Sequence, residues 1–200
     1  MTRRFGTTLF CFLLAVPEIA IAHTPIQGVG NLVNGILHPV LTPSHLLLLI
    51  ATSLFFGQRG FKKTEPALLA SIAAVVSGLA TSGFSPGPQV EVFILACAAV
   101  TGLLVAASPK IRTSWYFIVG IVAGFSLGFD SAQETLSGKE KVIALFGSGV
   151  GIYFFSLYPI SFAQFCNNKN WLRTGIRVIG SWIAASALLV LAMEISSLQK

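Results

Sequence analysis

The stretch "ILHPVLTPSHLLLLI", Ile36 to Ile50, places His38 and His45 seven residues apart in a long apolar run, with Thr42 and Ser44 between them. An imidazole at membrane depth must be hydrated, paired or bound to something, so such a histidine is a functional-site hypothesis from the outset. On an unbroken helix the seven-residue step puts both rings on one face but about 10 Å apart, too far for one ion to touch both. Pro39 and Pro43 change that expectation, because each removes a backbone donor and clashes with the preceding turn. A break there brings the rings closer and exposes carbonyls, the arrangement that discontinuous helices use to build ion sites.

A second stretch, "SLGFDSAQET", spaces Ser126, Asp130 and Glu134 four apart, one polar stripe on a helix that continues that far. Imidazole together with carboxylate suits borderline divalent ions such as nickel, cobalt, zinc or iron. The predicted metal ligands are therefore His38, His45, Asp130 and Glu134, with Ser44 orienting His45 through a hydrogen bond. The competing reading makes the histidines a helix cap and a satisfied buried group, and the carboxylates solvated residues just past a helix end. No Ser/His/Asp order, H-E-x-x-H pair or phosphate-binding glycine loop appears in the sequence, so no enzyme is expected. No tightly bound cofactor is expected either; a divalent metal ion is the expected substrate.

These residues need elements to hold them, and composition says which. Of the 200 residues, 54% are hydrophobic and only 10% are charged. The mean hydropathy is +0.80. Soluble domains carry about a quarter charged residues, so this is a membrane composition. The net charge of +6 comes from short basic clusters between apolar runs. That is the pattern of membrane topology, so a nucleic-acid partner is not expected. Cys11, Cys97 and Cys166 have no metal-site spacing and read as small buried hydrophobes.

Arg3 and Arg4, the apolar Leu9 to Val16 and the small-residue "AIA" at 20–22 compose a signal peptide over 1–22, leaving His23 first after cleavage. Six apolar stretches follow, at Ile36–Gly57, Ala67–Gly83, Val90–Ala107, Trp115–Leu136, Val142–Phe165 and Ile176–Met193. Each is near the ~20 residues that cross ~30 Å of hydrocarbon, and none alternates as barrel strands do. The expected fold is an all-α integral membrane protein, with one domain of about six transmembrane helices over 23–200 and a proline-broken first helix. Arg59, Lys62, Lys63, Lys110, Arg112, Lys169, Arg173 and Arg177 then fall on one side, against Lys139, Lys141 and Lys200 on the other. Eight against three puts the first group inside and both termini outside the inner (plasma) membrane. Gly120, Gly124 and Gly128, and Gly147 and Gly151, recur at four-residue steps as ridges for close helix packing.

At these residues the chain resembles the HupE/UreJ family of small membrane proteins implicated in nickel or cobalt uptake. The family's first motif runs H-P-x-x-G-x-D-H. "HPVLTPSH" keeps His38, Pro39 and His45 at that spacing, with Thr42 in place of the glycine and Ser44 in place of the aspartate. Its second motif, F-H-G-x-A-H-G-x-E, has "FDSAQETLS" as the nearest stretch: Phe129 matches, Asp130 and Glu134 stand at the two histidine positions and Ser137 at the glutamate. The resemblance implies a signal, a histidine right after it, about six spans and transport of a divalent metal. The changed ligands favour harder ions than nickel. The alternatives left open are a non-transporting membrane subunit packed in a larger complex, a homo-oligomer, and a metal-dependent membrane enzyme.

Overall fold

The structure, a computed structural model, describes residues 28–82, 89–133 and 136–198. The predicted signal peptide, His23, Cys11 and Glu134 lie outside the described residues. Among the described residues are seven helices and no strand: α1 Asn31–Leu41, α2 Pro43–Arg59, α3 Phe61–Thr81, α4 Gln89–Ala107, α5 Thr113–Phe129, α6 Gly138–Cys166 and α7 Asn170–Leu198. Each of the six apolar stretches has a helix at its heart, the first being divided into α1 and α2.

Helices α3, α4, α6 and α7 are each long and apolar enough to cross a bilayer, and α1 with α2 makes a fifth candidate bent by 71°. The 17 residues of α5 reach about 26 Å by the helical rise per residue, just short of the hydrocarbon thickness. The chain is a multi-pass membrane protein. The predicted fourth span, 115–136, is corrected here: α5 ends at Phe129, and Asp130 leaves the helix with φ −86° and ψ 4°. The helix that a stripe from Ser126 through Asp130 requires therefore stops at Phe129. The cause is local, since Asp and Ser offer the backbone competing partners; the Ser131 hydroxyl donates to the Leu127 carbonyl at 2.6 Å.

Helix α2 is the axis. Leu48, Leu49, Leu54, Phe55 and Phe56 on it are almost wholly buried, and every other helix packs against it. The outer helices pack in pairs, α1 on α6, α3 on α5 and α4 on α7. Glycine decides the first two pairings. A Cβ at Gly120, Gly124 or Gly128 would meet the carbonyls of Ala67, Ser71 and Val75, one turn apart along α3. Gly147 and Gly151 lie in the same way on the carbonyls of Leu32 and Ile36, and Gly35 on that of Ala144. The predicted ridges are thus backbone-to-backbone seams. Gly124→Leu is expected to lower the melting temperature in detergent by several degrees, since overpacking costs about 1–3 kcal/mol and the backbone there has no room to yield. A Gly124→Leu chain that melts like the unmodified one would mean the seam is loose.

Side-chain hydrogen bonds gather the basic segments at one end. Asn167 donates to the Gly57 and Gln58 carbonyls, Gln58 to that of Val105, and the Gln164 side chain accepts from the Phe61 amide. Gly60, at φ 94°, makes the turn from α2 to α3 in a conformation that side chains disfavour. The break between α1 and α2 and the end of α5 lie at the opposite end of α2.

Candidate metal centre

The break falls at Thr42, which is extended (φ −89°, ψ 111°) between the two proline-bearing helices. Pro39 has no N–H for the Gly35 carbonyl and Pro43 none for that of Pro39, so two rungs of the helix ladder are lost in succession. The chain stays attached through the Thr42 amide to the His38 carbonyl (3.0 Å) and the Leu46 amide to the Thr42 carbonyl (2.9 Å). Pro43 opens α2 at its first turn, where a missing N–H costs nothing.

This bend turns the seven-residue step into a contact. The rings of His38 and His45 stand edge to face, centroids 5.1 Å apart. Two imidazoles sharing one metal at about 2.0–2.1 Å per nitrogen would have centroids about 5 Å apart, so the spacing suits a common ion. Both residues are buried, His45 completely.

Asp130 arrives from the end of α5. Its Oδ2 accepts from His45 Nε2 at 2.9 Å, across 85 residues of sequence. Asp130 is 9% exposed, which overturns the reading of it as a solvated residue past a helix end. With Nε2 engaged, Nδ1 of His45 is the nitrogen left over, and it has no partner among the described residues. A histidine that gives one ring N–H to a carboxylate and keeps the other nitrogen for a metal is the usual support of a metal ligand.

That geometry corrects the part expected of Ser44. Its Oγ, like His45 Nδ1, has no partner among the described residues, so the hydroxyl does not hold the ring; Asp130 does. Among the described residues no group of three His, Cys, Asp or Glu side chains is clustered closely enough to hold an ion by itself. His38, His45 and Asp130 come together as a chain of two rings and one carboxylate.

Two buried polar residues nearby in sequence escaped the reading of motifs. Asn34 lies one turn before His38 on α1, and its side chain donates to the Val29 carbonyl at 2.9 Å. Gln133, three residues after Asp130, is buried with its Oε1 unpartnered among the described residues. The signal for Asn34 was its four-residue step to His38. Gln133 gave none, because it sits beyond the helical part of the apolar run.

The HupE / UreJ protein family model matches residues 11–190. The chain belongs to the HupE/UreJ family. No curated protein and no solved structure matches it significantly. HupE/UreJ is a transporter-type family associated with nickel and cobalt, and the two positions where this chain keeps its first-motif histidines are the two rings in contact. Asp130, from the stretch that lies nearest to the second motif expected of the family, is the residue that reaches His45.

Proposed function

We propose that this HupE/UreJ protein is an inner-membrane permease for a divalent transition-metal ion. His38 and His45 are the ligands, Asp130 orients His45 and supplies negative charge, and Glu134 stands as a capture carboxylate four residues on. The reading is carried by one observation, the His45–Asp130 hydrogen bond set beside the His38 ring at a proline-broken helix. Carbonyls freed at the break would replace water around a partly dehydrated ion. Two imidazole ligands suit nickel, cobalt, zinc and iron alike, and carboxylate charge beside them favours harder ions than nickel. The cleaved signal (1–22), the single domain over 23–200 with six crossings, and outward-facing termini belong to this proposal. The orientation is supported by the gathering of the basic segments at the end of the bundle away from the histidines, in keeping with the positive-inside rule.

Uptake by proteoliposomes holding only the purified chain, tested across nickel, cobalt, zinc, iron and manganese, checks the proposal. One ion is expected to enter faster than into empty vesicles. If none enters, and the chain instead co-purifies with one stoichiometric membrane partner, it is a non-transporting subunit. The departures at Thr42, Ser44 and Asp130 from the HupE/UreJ motifs are what favour that second reading.

A further inference from the structure

The basic end of the bundle, roughly 20 Å from His45 along α2 by the helical rise per residue, contains a different polar site. The ends of α2, α4, α6 and α7 border an open cavity of about 220 Å³ lined by Gln58, Ser108, Asn167, Asn170, Arg173 and Arg177. Its walls are pinned by hydrogen bonds between elements. Gln58 reaches the Val105 carbonyl at 3.0 Å, Asn167 the carbonyls of Gly57 and Gln58 at 3.0 and 3.1 Å, and Arg177 Nε that of Ala106 at 2.7 Å. Ser108 is the one non-glycine residue at positive φ (48°) among the described residues, a conformation that persists only where the surroundings impose it.

The charges in this cavity are unbalanced. Arg173 and Arg177 are one turn apart on α7, a spacing at which like charges repel. Among the described residues no acidic side chain lines the cavity and neither guanidinium has a carboxylate partner. Arg177 spends Nε on a carbonyl, which fixes the guanidinium plane and leaves its terminal N–H groups to donate. The amide end of the 29-residue α7 opens at Asn170 on the same wall and adds partial positive charge. Forked guanidinium donors match phosphate oxygens two at a time. We propose that this cavity binds a phosphate group, either of an anionic phospholipid in the adjoining leaflet or of free phosphate. The inference stands apart from the transport reading, since no step of it uses the histidines.

The test uses the purified full chain, with Arg173→Gln and with Arg173→Gln/Arg177→Gln. Retained phosphatidylglycerol and phosphatidylcholine are counted by native mass spectrometry, and inorganic phosphate binding is measured by equilibrium dialysis. Saturable binding of one phosphate group per chain is expected. Arg173→Gln should weaken it about tenfold, the size of one charge-assisted hydrogen bond, and the double variant should abolish it. The Arg173 side chain is exposed, so that single variant tests binding without endangering the fold. Retention of phosphatidylglycerol over phosphatidylcholine, undisturbed by phosphate, assigns the lipid; saturation by phosphate that displaces the lipid assigns the free anion. Binding of neither probe, or equal binding by the double variant, overturns the proposal.

Discussion

Cells expressing His38→Ala/His45→Ala are expected to accumulate no more metal than cells lacking the protein, once membrane insertion of variant and parent is matched. The reason is geometric. The rings share one contact at 5.1 Å, so removing both deletes the two nitrogen ligands that a passing ion would meet together. The single variants should each do most of the damage, because groups that hold one ion act as a unit and their losses do not add. His45→Ala should also lower thermal stability, since it strips a buried carboxylate of its partner, whereas His38→Ala leaves the Asp130 bond in place. Mass-spectrometric metal content and a melting curve, read side by side, check both statements. Unchanged accumulation in the double variant would remove the histidines from any transport path.

The second large effect concerns Asp130. Asp130→Ala is expected to weaken metal binding by about 10–100-fold, the usual cost of removing the group that orients a metal-bound histidine. It should also cost about 1–3 kcal/mol in stability, because the N–H on Nε2 of the buried His45 is left without an acceptor. Asp130→Asn separates the two contributions. Its amide oxygen can still accept from that N–H, so stability should largely return while affinity stays reduced through the lost charge. Titration of the purified variants with the transported ion, with melting curves alongside, reads the split. Equal affinity in all three chains would make Asp130 a structural residue.

These expectations depend on a site only half visible in the primary structure. His38 and His45 stood out because polar groups are rare in an apolar run, and the two prolines between and beside them announced a break. The residue at which the chain turns, Thr42, and the 71° bend were not legible in the two prolines, nor was the seating of α1 on α6 through Gly35, Gly147 and Gly151. Asp130 was legible as a carboxylate near a helix end, but both its burial and its partner come from across 85 residues. Ser44, beside His45 in the chain, was expected to orient that ring and does not, because adjacent residues on a helix point in different directions.

What the amino-acid order by itself determined was the class of molecule. Apolar runs of spanning length dictate helices, and glycine steps dictate where helix backbones can touch. Both follow here, and the basic clusters gather at one end. Only the tertiary structure decided the chemistry's arrangement: that two rings meet, that Asp130 holds one of them, and that Arg173 and Arg177 share a cavity with no countercharge among the described residues. The physical reason is range. Hydrophobicity, proline and glycine act on the nearest turn of backbone, whereas a hydrogen bond between α2 and the end of α5 exists only once α2 has been packed at the centre of the bundle.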